Sequence, residues 1–251
     1  MVAKSVSGPS KYLLIDVGNT RIKYAWFHSA GQQQYALHYC DHAKGLDADI
    51  KQATFVFIAS VARPDVAAEL SHLAKTNNIP FKIIQTEAQS FGIQCAYTHF
   101  NHLGVDRWLA VLAARCITSK PCAVLDLGTA ATCDFVVGSE HVGGWIAPGF
   151  NLMRRSLFKD TANVFGNDEA VSELRIGNAT PDCVNYGGFA MLSGFVHQAE
   201  AVMRNRYDDY CLIVAGGNAE MMKKEANDTW LVRNDVVLLG MSHWISLHEN
   251  A

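Results

Sequence analysis

Short apolar runs bounded by Gly, Asn or Pro alternate along this chain with longer stretches whose apolar residues recur three and four positions apart. The first pattern predicts strands and the second helices. Tyr12 to Val17 reads as a short buried strand, and Ile22 to Phe27 and Tyr35 to Cys40 as further strands of a meander. Phe55 to Ala59 is another compact apolar run. Pro64 then stands at a first helical position, ahead of a stripe formed by Val66, Leu70 and Leu73. Phe81 to Ile84 predicts a strand. After a polar stretch, Gly104 opens a helix with Val105, Trp108, Leu109, Leu112 and Cys116 on one face, ended by Ser119-Lys120-Pro121. Pro121 marks the expected domain boundary.

The second half begins again in the same way. Ala123 to Leu127 predicts a buried strand and Thr132 to Val137 another, followed by a Gly-rich segment and several helices, including one near Cys183 to Arg206. Leu212 to Ala215 is a strand that runs into Gly216-Gly217-Asn218, and Val236 to Leu247 is an apolar helix. Leu14-Ile15-Asp16-Val17-Gly18-Asn19-Thr20 and Val124-Leu125-Asp126-Leu127-Gly128-Thr129-Ala130 each place Asp-x-Gly at the end of an opening strand, 110 residues apart from Asp16 to Asp126. A matched position in both halves argues for an internal duplication. The expected organisation is a disordered tail at 1–11, one lobe at 12–119 and a second at 120–251.

Composition narrows the class. Hydrophobic residues make up 49% of the 251 residues and charged ones 18%, which fits a packed globular chain rather than a disordered one. Lys and Arg number 21 against 24 Asp and Glu, so the broad positive field that phosphate backbones require is missing and nucleic acid is not an expected partner. No apolar stretch approaches the roughly 20 residues needed to cross a bilayer. The apolar stretch from Tyr12 is cut by Asp16, unlike a signal peptide. No membrane association and a cytoplasmic location are expected. Seven irregularly spaced cysteines read as reduced thiols filling interior space.

The repeated Asp-x-Gly turns carry the chemistry. A carboxylate at the tip of a buried strand is held rigidly, where it can bind magnesium directly or through water. The glycine two residues on lets phosphate approach bare backbone N–H groups. Asn19, Thr20, Thr129 and Thr132 add neutral donors. A single Asp-x-Gly is most often an ordinary turn. Two of them, one per lobe, would grip a nucleotide triphosphate and its metal across a cleft, which suits phosphoryl transfer. Neither G-x-x-x-x-G-K-[ST] nor a strand-linked G-x-G-x-x-G occurs. Gly216-Gly217-Asn218 reads equally as a third backbone approach, for the adenosine end, or as a plain strand-to-helix turn.

Four segments together resemble the type III pantothenate kinases, members of the superfamily that includes acetate and sugar kinases and actin. They are Asp16-Val17-Gly18-Asn19-Thr20, Gly104-Val105-Asp106-Arg107, Asp126-Leu127-Gly128-Thr129-Ala130-Ala131-Thr132 and Gly143-Gly144-Trp145-Ile146-Ala147-Pro148-Gly149. The resemblance implies an α/β fold of two ribonuclease H-like lobes, a duplicated βββαβα, flanking a nucleotide cleft in an actin-like ATPase architecture. It also implies ATP-dependent phosphorylation of pantothenate to 4'-phosphopantothenate, the first step of coenzyme A biosynthesis.

Residue by residue, the resemblance implies that Asp16, Val17, Gly18, Asn19, Thr20, Arg21, Ile22 and Lys23, with Thr129, bind ATP. Asp106 would be the catalytic base. Tyr97, Gly104, Val105, Asp106, Arg107 and Thr180 would bind pantothenate, and Asp126 would hold a monovalent cation, K+ or NH4+, beside the Mg2+ that accompanies ATP. A homodimer is implied as well. Read alone, Asp106 is equally a helix-capping acid, Tyr97 a half-buried aromatic, and Thr180 a cap before Pro181. The segment ahead of Gly104 reads Thr98-His99-Phe100-Asn101-His102-Leu103 where the family carries an Asn-Pro pair, so the loop after Tyr97 lacks a residue that fixes φ. Two alternatives remain: a nucleotide-binding accessory factor for transcription without kinase activity, or a superfamily kinase for another small hydroxy acid or sugar.

Overall fold

The computed structural model describes residues 11–28, 35–61, 63–167, 169 and 171–248. Residues 1–10 of the expected tail lie outside that set. The chain begins with strands β1 (Tyr12–Val17), β2 (Ile22–Phe27) and β3 (His38–Cys40), then helix α1 (Asp47–Gln52), β4 (Phe55–Ser60), α2 (Pro64–Thr76) and β5 (Phe81–Ile83). Two short strands follow, β6 (Gln89–Ser90) and β7 (Ile93–Gln94), before α3 (Val105–Ile117). The remainder is β8 (Cys122–Leu127), β9 (Ala130–Val137), β10 (Glu140–Pro148), α4 (Phe150–Asp160), α5 (Thr180–Arg204), β11 (Cys211–Ala215), β12 (Trp230–Val232) and α6 (Val236–His248).

The chain divides into two compact units. Among the described residues, one takes those up to Glu87, then Asn101–Leu109, then those from Val237; the other takes those of Ala88–Phe100 and Ala110–Val236. The units therefore interleave instead of meeting once at Pro121. The β6–β7 segment pairs with β10, through Glu140 and Gln94, and so joins the second unit's sheet. α6 belongs to the first unit, where the Leu109 carbonyl would lie 2.0 Å from a Cβ at Gly240.

The first sheet has the order β3-β2-β1-β4-β5. β1 is antiparallel to β2 and parallel to β4, and β4 is parallel to β5. The second sheet contains β10-β9-β8-β11-β12 in the same relative order and directions, extended past β10 by β7 and β6. One topology is thus built twice, and β1 corresponds to β8. The match extends to single positions: the parallel neighbour of Asp16 is Ala59, and that of Asp126 is Ala215.

Alternation along each opening strand decides what faces where. Leu13, Ile15 and Val17 enter a core with Ile22, Leu46, Ile50, Val66 and Leu70, while Asp16 lies on the opposite face with its antiparallel partner Lys23. In the second unit Ala123, Leu125 and Leu127 enter a core with Phe189, Leu192 and Val196, while Asp126 shares the other face with Thr132. Both first strands are buried along nearly their whole length, as expected where parallel neighbours are covered on both faces.

Some expectations are corrected. The third strand is only His38–Cys40, because Tyr35 to Leu37 make no ladder. The Gly-rich segment, to which the sequence reading assigns no element, forms β10, a nine-residue strand. All seven cysteines are free thiols, yet only Cys95, Cys122 and Cys133 are buried. Cys116, on α3, and Cys183, near the start of α5, are exposed rather than interior. Among the described residues no helix is long and apolar enough to cross a membrane.

Candidate functional site

In the first unit, β1 ends in a tight turn, Gly18 to Arg21, before β2 returns. Asp16 is the penultimate strand residue and only 6% exposed, so its carboxylate is held by the sheet rather than by a mobile loop. A Cβ at Gly18 would sit 3.2 Å from the Arg21 carbonyl, which leaves little room for any larger residue. Asn19, Thr20 and Arg21 are exposed, and the Arg21 guanidinium lies over the Tyr39 ring at 5.2 Å. Val17 and Ile22 close the turn as a buried pair, with Lys23 half-buried behind them.

The same unit carries Gly104 to Arg107 at the start of α3. Gly104 precedes the helix and its carbonyl accepts the Trp108 N–H at 3.0 Å. The Asp106 carboxylate accepts the Arg107 N–H at 2.7 Å, folded back over the helix N-terminus where negative charge is favoured. A Cβ at position 104 would meet Asp106 Oδ1 at 2.6 Å and Val61 at 3.4 Å, so glycine makes the space this carboxylate occupies. Val61 directly follows β4, whose Ala59 and Ser60 pair with Asp16 and Val17. The Asp16 turn and the Gly104 segment therefore gather at one end of β4. Arg107 and Val105 are buried.

In the second unit Asp126 stands at the corresponding place on β8, and the turn is shorter, Gly128-Thr129, closed by the Gly128 N–H donating to the Ala130 carbonyl at 3.0 Å. Two other chain segments are pressed against it. Gly149 donates its N–H to the Thr129 carbonyl at 3.0 Å, and a Cβ there would fall 2.1 Å from the Gly128 carbonyl. Gly216, at φ +97°, leaves Asp126 Oδ1 only 2.4 Å from its Cβ position. Asn218 donates its N–H to the Leu127 carbonyl at 2.9 Å and its side-chain amide to the Gly128 carbonyl at 3.4 Å. The Asp126 carboxylate is a hard-oxygen donor of the kind a cation takes, while the Leu127, Gly128 and Thr129 carbonyls accept hydrogen bonds from the segments packed on the turn.

Tyr97 follows β7 and so belongs to the second unit, half-buried and near-parallel to the His141 ring. Thr180, also half-buried, is the first residue of α5. Ala179 holds the N-cap position, so the capping role open to Thr180 from sequence is not taken.

The family model described as "Type III pantothenate kinase" matches residues 12–202. A type III pantothenate kinase of Pseudoalteromonas atlantica is 41% identical over 244 residues, covering 96% of this chain and 99% of the relative. The chain belongs to the type III pantothenate kinase family. A second member, from Pseudoalteromonas translucida, is 32% identical over 95% of this chain and 98% of its own length. A solved structure from Campylobacter jejuni, named for a Baf family of transcriptional activators, superposes with a TM-score of 0.62 at 20% identity, covering 95% of this chain and all of its own, and shares the fold.

Membership in the type III pantothenate kinase family fits the four segments from which the resemblance was read. Gly149, the last residue of the fourth segment, and Gly216, readable from sequence as a backbone approach or a plain turn, wall the Asp126 turn, and that contact is what the sequence does not show. The buried pair His141–Asp134, joined at 2.9 Å, gave no signal because its members lie on two different strands.

Proposed function

We propose that this chain phosphorylates pantothenate with ATP, giving 4'-phosphopantothenate for coenzyme A biosynthesis. The observation that carries the reading is the Gly104-Val105-Asp106-Arg107 segment at the head of α3, in a chain of this family. It offers a carboxylate to the substrate hydroxyl and a buried guanidinium fork to the substrate carboxylate, and pantothenate has both groups. In the reaction the primary hydroxyl oxygen bonds to the γ-phosphorus of ATP. The bond from that phosphorus to the β–γ bridging oxygen breaks, ADP leaves, and the hydroxyl proton goes to Asp106.

Asp16 to Lys23 and Thr129 are assigned to ATP, and Tyr97 and Thr180 to pantothenate with Gly104 to Arg107. Backbone N–H groups of the Gly18 turn suit phosphate oxygens. Asp126 is assigned the monovalent cation, K+ or NH4+. Mg2+, entering with ATP, neutralises charge on the phosphates. A cytoplasmic homodimer is part of the same reading.

A coupled assay of ADP release in Mg2+ and K+ tests it. Wild-type protein should release ADP only when pantothenate is present, while a panel of other hydroxy acids and sugars should be inert. Asp106→Asn should lower kcat by roughly 100-fold or more, the usual range for loss of a general base. Full turnover by Asp106→Asn, or ADP release driven equally by another alcohol, would falsify the assignment. Replacing K+ by Na+ should lower turnover, and light scattering of the eluting protein should give twice the chain mass.

A further inference from the structure

His141 lies on β10 with its side chain fully enclosed, and Asp134 on the adjoining strand β9 is 3% exposed at its side chain. They are linked at 2.9 Å between His141 Nε2 and Asp134 Oδ1. The other ring nitrogen, Nδ1, receives the backbone N–H of Ala96 at 3.4 Å. An N–H can only donate, so Nδ1 is the acceptor and Nε2 carries the proton that Asp134 accepts. Asp134 thereby selects the tautomer that Ala96 needs. Beside Ala96, the Tyr97 ring lies 14° from parallel to the His141 ring, with centroids 6.3 Å apart.

The backbone of β10 is shaped for this contact. The ladder with β9 is regular at His141↔Val136 and again from Gly143↔Phe135, so Val142 is an extra residue in a bulge. In an unbroken strand His141 and Trp145 would share a face. The bulge sends Trp145 to the core face, opposite Cys133, and His141 to the face of Val136 and Asp134. Gly143, at φ +122°, supplies a conformation that L side chains rarely adopt. Gly144 stands directly opposite Asp134 and adds no side chain to the face where the His141 ring lies.

We infer that His141 is a positioning residue for pantothenate binding: held by Asp134, it anchors Ala96 and Tyr97 against the rim of the second sheet. The inference rests on the proposed kinase function and on Tyr97 as a substrate contact. It answers the missing proline after Tyr97, because the constraint comes from a buried ring instead of from a fixed φ in the loop.

The test compares His141→Gln, whose amide nitrogen still reaches toward Asp134 but offers Ala96 no ring acceptor, with His141→Asn, whose oxygen can take the place of Nδ1. His141→Gln should raise the KM for pantothenate roughly tenfold, in line with the cost of a misplaced binding group, while kcat and the KM for ATP stay within about twofold. His141→Asn should recover part of that loss. In a Tyr97→Ala background, His141→Gln should add no further change. Equal rises in both KM values, no rise for pantothenate, or full additivity with Tyr97→Ala overturns the inference. If wild-type protein shows no pantothenate-dependent ADP release, the functional reading fails on its own. Amide exchange then still decides the anchoring: faster exchange at Ala96 in His141→Gln supports it, and an unchanged rate overturns it.

Discussion

Gly216 is a residue whose identity is forced twice. Its φ of +97° disfavours any side chain, and a methyl group there would meet Asp126 Oδ1 at 2.4 Å and the Leu127 nitrogen at 2.5 Å. Gly216→Ala should cost about 1–3 kcal/mol in backbone strain alone and push the Asp126 carboxylate from its place. Thermal denaturation should show the stability loss, and kcat/KM should fall further than that loss accounts for. Glu200 is a second such residue, buried on α5. Its carboxylate receives Asn227 Nδ2 at 2.8 Å, Trp230 Nε1 at 3.0 Å, Thr229 Oγ1 at 3.3 Å and His197 Nδ1 at 3.4 Å. Burial pushes the Glu200 carboxyl up, but these hydrogen bonds outweigh it and hold it below the ordinary carboxylate value. A depressed folded value stabilises the fold above the unfolded glutamate value of about 4.3, and that stability is lost as pH falls through the folded value. Wild-type unfolding free energy should therefore drop more steeply below pH ~4.3 than that of Glu200→Gln, as chemical denaturation across pH would read. At this scale the sequence was informative where a motif is contiguous, as at Asp16 and Gly104. It was silent at His141, whose partner lies on another strand, and at Gly216 it showed a turn but not the Asp126 carboxylate packed against it.

Among the elements, those with a clean apolar period were legible: β1, β2, β4, α3, β8, β11 and α6 lie within a residue or two of their expected bounds, and α2 starts at Pro64 as expected. β10 was not, because Gly143, Gly144 and Pro148 dilute its alternation and the bulge breaks its period. Nor were β6 and β7, two residues each, which exist only because the edge of β10 is there to pair with. Packing between helices was equally hidden. Gly240 is an interior position of a strongly apolar helix, where helix propensity alone would favour alanine. The Leu109 carbonyl nevertheless lies 2.0 Å from the Cβ position of Gly240, and backbone cannot yield as a side-chain tip can. Gly240→Ala should therefore destabilise by about 1–3 kcal/mol, the range for overpacking, where propensity predicts a gain. Equilibrium unfolding in urea would give the sign directly.

For the molecule as a whole, the duplication inferred from two Asp-x-Gly turns extends to strand order, strand direction and the alanine beside each aspartate. What sequence could not supply was the assignment of segments to units. Composition changes little at Glu87 or Val237, and only pairing and packing reveal that Ala88–Phe100 and α6 each belong to the unit more distant in sequence. Deleting α6 should consequently disturb the first unit, not its neighbour in sequence: amide exchange should rise in β1, β4 and α2 while β8, β9 and α5 keep their protection. The same interleaving orders events at the ribosome. Every residue of the second unit has been synthesised by Val236, whereas the first, although begun earlier, still awaits its last helix. The later-starting half is therefore complete in sequence before the first, and the first half, without α6 while the second is being made, is the part more exposed to nascent-chain aggregation.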